Sequence, residues 1–238
     1  LLLWALGLLA SISFPARGAE TIDFLAQAKA AYEAAAQAKA TNASSLSACI
    51  DLARTAFDYA DRAPNDELRE TIAHAGIAAG KAGIAIQADS VGAHYYLALN
   101  IGQLARTKML SALGLLTDME GELKTALRLD PKFDYAGANR TLGVLYLEAP
   151  GWPVSIGSKS NARANLTQAL ALAPEYPDNH LSLMEACVKW REPNMLTERI
   201  AVYEAMLPAA KTNFTGADWN DEWADWARRF EKIHGKAK

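Results

Sequence analysis

The sequence predicts an all-α protein, a helical-repeat solenoid of about ten antiparallel helices closed by a C-terminal capping helix. Three observations carry that prediction. Of 238 residues, 48 are Ala and 30 are Leu, against 5 Val and 11 Ile. Strands prefer β-branched and aromatic side chains, so this balance favours helix. No stretch alternates apolar and polar residues as a half-buried strand does. Similar helix endings also recur along the chain: AIAIQADS, ALRLDP, ALALAPEY and YEAMLP.

The elements follow in order. Leu1 to Phe14 is an uncharged apolar run, broken by Pro15-Ala16-Arg17-Gly18. It reads as a secretory signal peptide, residues 1–18, with small residues at Ala16 and Gly18 and a cut before Ala19. The run is shorter than the roughly 20 residues of a membrane span, so membrane contact is expected only through this segment if it stays uncleaved. Residues 19–238 then read as one repeat domain. A first helix, rich in Ala, Gln and Lys, covers 21–40 and breaks at Thr41-Asn42-Ala43-Ser44. A second covers 45–62 and stops before Pro64. A third covers 66–87, with Asp66 and Glu67 at its positive end and Leu68, Ile72, Ile77 and Ile84 at helical intervals. Further helices are expected at 91–106, 109–129, 136–149, 159–173, 178–191, 195–211 and 218–233. Pro, Gly, Asn or Asp occupy most of the breaks.

The recurring endings give the repeat. Pro174 to Pro208 is 34 residues, the tetratricopeptide period. Pro131 to Pro174 is longer by nine and Ser90 to Pro131 by seven, excesses that fit a loop between the two helices of a unit. The clearest repeats lie at about 90–211. In the middle one, Leu142-Gly143 and Tyr146 match the L-G-x-x-Y of a first helix, and Ala162, Leu166, Ala169 and Pro174 match the second. Gly143 and the alanines let backbones approach, while Leu142, Tyr146 and Leu166 fill the space between. Tyr203 stands where Ala is usual. The chain therefore resembles the tetratricopeptide (TPR) repeat superfamily.

A narrower resemblance follows from Asp130-Pro131, Arg140-Thr141-Leu142-Gly143, Pro150-Gly151-Trp152-Pro153 and Pro174. Over about residues 90–190 the sequence is similar to periplasmic TRAP-transporter T-component-like proteins. That resemblance implies a bacterial envelope protein and a non-enzymatic partner of a solute uptake system. The lipid anchor usual in that family is not expected at this cut, because no Cys lies near it. The expected compartment is the periplasm or the exterior. Cys49 and Cys187 each sit among apolar residues of an expected helix, which reads as two buried thiols.

Charge and motifs exclude several functions. A net charge of −3 lacks the basic footprint of nucleic-acid binding. His74, His94, His180 and His234 are scattered, with no metal-ligand spacing, and no nucleophile elbow is present. Gly151 to Ser160 is not a P-loop: five residues separate the glycines and Ser158 intervenes before Lys159. No enzyme, cofactor or metal is therefore expected.

Binding residues are sought on two surfaces. First helices of stacked repeats line a concave face, which places Tyr95, Arg140 and Leu181 at one level, Leu99, Val144 and Glu185 at the next, then Gln103, Glu148 and Lys189. Tyr95 and Arg140 could stack on or pair with a carboxylate-bearing peptide or solute, and Arg140 could equally pair with Asp134 or Glu148. The loop from Ala149 to Gly157 supplies Trp152, which either tucks back with Ile156 or forms a contact surface. Ser158 is suited to cap the next helix. The candidate binding residues are thus Tyr95, Arg140, Trp152 and Glu185. The expected partner is a protein segment, a transporter component, a solute or a second copy of the chain. The alternative is a small-molecule carrier with an internal apolar cavity near Tyr95, Tyr96 and Trp152. Trp219, Trp223, Trp226, Phe230 and Ile233 share one helix face, as a capping helix at about 217–233 requires.

Overall fold

A computed structural model describes residues 23–108 and 112–236. The expected signal peptide lies outside the described residues. Among those residues the regular structure is ten α-helices and one short 3-10 turn: α1 (Phe24–Thr41), α2 (Leu46–Asp61), α3 (Asp66–Ile86), α4 (Val91–Arg106), α5 (Ala112–Leu129), α6 (Phe133–Glu148), α7 (Lys159–Leu172), α8 (Pro177–Trp190), α9 (Pro193–Asn213), the turn Ala217–Trp219, and α10 (Asn220–His234). None of these helices is long and apolar enough to cross a membrane. The chain divides into two compact units, residues 1–122 and 123–238.

In the first unit, side-chain caps set the helix starts. Asp23, Ser45, Asn65 and Ser90 each accept a bond from the backbone N–H three residues on, worth about 1 kcal/mol apiece. Helices α2, α3 and α4 pack on one another, and glycines set their spacing. A Cβ on Gly80 would lie 2.8 Å from Leu97 Cβ, and one on Gly76 would lie 2.1 Å from Asn100 Oδ1. Asn100, fully buried, donates from Nδ2 to Ala53 O and Tyr96 O, both at 2.8 Å. Cys49 is a buried free thiol.

In the second unit, α6 and α7 form the pair that the sequence marks best. A Cβ on Gly143 would lie 2.5 Å from Leu166 Cγ and 3.1 Å from Leu166 N, so only Gly permits this approach. Leu142, Tyr146 and Leu166 are buried around it. Ser158 caps α7 through the Asn161 N–H at 3.3 Å. Cys187 is a buried free thiol. The expected capping helix is α10: Trp226 and Ile233 are buried, and Trp219, Trp223 and Phe230 pack against the same core as Tyr176, Tyr203 and Phe214. Tyr203 fills the space beside Phe230, with ring centroids 4.8 Å apart. Its hydroxyl is pushed up to about 12 by burial.

Two features stand apart from the repeat pattern. Pro208 does not end its helix, because α9 runs on to Asn213 with Pro208 inside. Pro208 and Glu204 are both exposed, so the carbonyl that loses its partner lies on the solvent side. The extra turn carries Ala210 and Phe214, 1% and 4% exposed, into the core. At the start of α6, Asp134, Tyr135 and Ala136 have φ of 51°, 53° and 62°, a left-handed turn of three residues without Gly.

Candidate functional site

The left-handed turn is held by one arginine. Arg140 Nη1 donates to the carbonyls of Asp134 (3.4 Å) and Tyr135 (3.3 Å) and to Asn179 Oδ1 (3.1 Å). Its Nη2 reaches Asp134 Oδ2 at 3.1 Å, and its Nε reaches Asp178 Oδ2 at 3.1 Å. Asn179 Nδ2 donates to Tyr135 O and Ala173 O, each at 3.0 Å. Left-handed L-residues persist only where their surroundings over-determine them, and these bonds do so. The turn lays Tyr135 flat on Tyr176, with centroids 4.4 Å apart and planes 8° apart. The Arg140 guanidinium lies 5.0 Å from the Tyr176 centroid. Burial pushes the Tyr176 hydroxyl far up, against the opposing effect of Arg140.

The same network continues onto α10. Arg229 bonds Asp178 Oδ1 at 2.6 Å and takes both Glu185 oxygens at 2.9 Å. Burial alone would raise the Asp178 carboxyl, but Arg229 and Arg140 overcome it and hold the carboxyl below its usual range. Burial likewise works against the Arg229 charge, and Asp178, Glu185 and Asp225 more than offset it. Asp178, Ser182 and Glu185 share one face of α8, and α10 lies across it.

This arrangement corrects the expected concave rows. Arg140, at 8% exposure, points inward and pairs with Asp134 and Asp178, not with Glu148. Glu185 is engaged by Arg229, because the capping helix covers its row. Leu181 is fully buried. In the first unit Tyr95 is 2% exposed and sits edge-on to Tyr96. It presents no surface because twelve of the sixteen residues of α4 are buried. Gln103 is also buried and donates to Asp61. Of the nine row positions, Val144, Glu148 and Lys189 remain exposed, the last two as an ion pair at 2.8 Å. His94 and His180 make the same bond: the Nε2–H of each donates to a carbonyl six residues back, Ala88 O at 2.9 Å and Pro174 O at 2.7 Å.

The loop between α6 and α7 is different. Gly157 N donates to Pro150 O (2.8 Å), Ser158 N to Tyr146 O (2.9 Å) and Val154 N to Gly151 O (3.0 Å). A Cβ on Gly157 would fall 2.1 Å from Ala149 O, so the neck of the loop closes on a glycine. The Trp152–Pro153 peptide is cis. At the tip Trp152 is 88% exposed and Val154 50%. Ile156 is half-buried, but Trp152 does not tuck back with it. No charged residue lies between Glu148 and Lys159. The tip is an uncharged, aromatic, pre-ordered projection.

Asp178, Asn179 and Arg229 were not legible as a network, since they meet only through tertiary packing. Among the described residues no group of three or more His, Cys, Asp or Glu is placed to hold a metal.

No protein-family model and no curated protein matches the sequence. Among solved structures, the fold is similar to that of a thermophilic TPR protein from Thermus thermophilus, with a TM-score of 0.59 and 21% identity over 88% of this chain and 91% of that one. The fold is therefore a TPR-like, all-α helical repeat.

Proposed function

We propose that the protein is an exported, non-catalytic scaffold that binds a segment of a partner protein through the loop of residues 149–158. A TPR-like fold suits protein interaction in general. The observation that carries the reading is Trp152, 88% exposed on a loop fastened by its own backbone bonds. Burying such a side chain contributes about 1.5–3 kcal/mol. Tryptophan is favoured at the centres of interfaces, and a pre-ordered loop loses little freedom on binding. The expected concave contacts at Arg140 and Glu185 are engaged within the chain, which leaves the loop as the better-supported surface.

The compartment proposed is the bacterial periplasm, on the strength of residues 1–18. The partner proposed is a component of a TRAP-type solute uptake system, on the strength of the resemblance over residues 90–190. The test is affinity capture from periplasmic extract with wild type and Trp152→Ala, followed by mass spectrometry. A transporter component recovered with wild type and lost with Trp152→Ala is the expected result. Equal recovery with both proteins would overturn the role of the loop. Recovery of unrelated proteins alone would overturn the transporter link.

A further inference from the structure

In the first unit, α3, α4 and the N-terminal half of α5 enclose a cleft of about 500 Å³. Its floor is one face of α4, with Leu97, Ile101 and Leu104 at helical spacing. Among the lining residues, α3 contributes Lys81 and α5 contributes Asp118, both exposed.

The charges around this rim fall into two groups. His74 lies 3.6 Å from Glu70, and Glu122 lies 2.5 Å from His94 Nδ1, so these are engaged within the chain. Lys81 and Asp118 are not: among the described residues neither makes an ion pair or a side-chain hydrogen bond. An apolar floor is thus flanked by one uncommitted cation and one uncommitted anion, on separate helices.

That combination selects its ligand by exclusion. A simple anion would pair with Lys81 but face Asp118 as a like charge. A simple cation would pair with Asp118 and face Lys81. A purely apolar molecule would cover both charges and pair neither, which is costly. A molecule with an ammonium, a carboxylate and an apolar body satisfies all three parts. The volume lies within the roughly 300–1,000 Å³ of small-molecule sites.

We propose that this cleft binds a hydrophobic amino acid or short peptide with free termini. Its carboxylate pairs with Lys81 Nζ, its ammonium with Asp118, and its apolar side chains lie over Leu97, Ile101 and Leu104. This site is independent of the loop proposed above, since it uses other residues in the other unit.

The test is titration calorimetry of the full chain with leucyl-leucine. Two blocked forms serve as comparisons: N-acetyl-leucyl-leucine, which lacks the ammonium, and leucyl-leucine amide, which lacks the carboxylate. Saturable one-to-one binding of the free peptide is expected, weakened at least tenfold by either block. Lys81→Gln should reproduce the loss seen with the amide, and Asp118→Asn the loss seen with the acetyl form. Each variant should be indifferent to the block that its own change already mimics. Both positions are exposed, so the fold is expected to survive, and the blocked peptides test the wild type without any variant. Absence of saturable binding by the free peptide would overturn the proposal, as would equal binding of free and blocked forms.

Discussion

Ala136→Gly tests the turn that organises the second unit. Ala136 has φ of 62°. An L-residue in that region costs about 1–2 kcal/mol, which Gly avoids. Ala136 is fully buried, so losing its methyl group costs about 0.8 kcal/mol. The two effects oppose, and the substitution should stabilise the protein by up to about 1 kcal/mol. At an ordinary buried helix position the effects add instead: about 1 kcal/mol of helix propensity plus the lost methyl, nearly 2 kcal/mol destabilising. The two cases differ in sign. Urea unfolding of the full chain, followed by near-ultraviolet circular dichroism of the tyrosine and tryptophan cluster, reads the difference. The turn predicts an unchanged or higher midpoint. A fall equivalent to about 2 kcal/mol would refute it and make the start of α6 an ordinary right-handed helix.

The other predictions concern the same unit. Arg140→Met should cost about 3 kcal/mol in urea unfolding, at the low end for a broken buried pair, because Asp178 keeps Arg229. Arg140→Lys should recover only part of that loss, since an ammonium cannot fork to the several acceptors around the turn. Gly143→Ala should lower the thermal midpoint: the overlap with Leu166 costs about 1–3 kcal/mol, offset by about 1 kcal/mol of helix propensity. Burial lowers the His180 pKa below its ordinary value. Its contribution to stability is therefore complete above about pH 6.5 and is lost as pH falls through the lowered value. Between pH 7.5 and 5.5 the wild type should lose more stability than His180→Gln, measured by urea midpoints at each pH.

Much of the fold was legible because it depends on local signals. Ser45, Asn65 and Ser90 sit just before their helices, and Pro and Gly punctuate the breaks, so most helix ends fall within a few residues of expectation. The Gly143–Leu166 contact followed from the repeat pattern, because a small residue facing a large one leaves a sequence trace. The capping role of α10 followed from the spacing of its aromatics. The site was less legible. Asp134 tolerates a left-handed conformation, but neither Tyr135 nor Ala136 signals one, and the three-residue turn exists because Arg140 and Asn179 hold it from other turns of the chain. Arg140 and Glu185 lie in adjacent rows of the expected concave face, but nothing in either row told that Arg229 would cover the face of α8. Pro208 marks a repeat ending in the sequence, while the burial of Ala210 and Phe214 beyond it is not visible there. Trp152 was singled out by its unusual loop, yet its direction depended on how Gly157 closes the neck.

The central claim, that the Trp152 loop contacts a partner protein, is tested most directly by a photo-reactive phenylalanine analogue placed at position 152 in living cells. The same analogue at Val202, exposed on α9, serves as the comparison. Illumination should give one discrete protein adduct from position 152 and none from 202. No adduct from position 152, or the same adducts from both positions, would contradict the account.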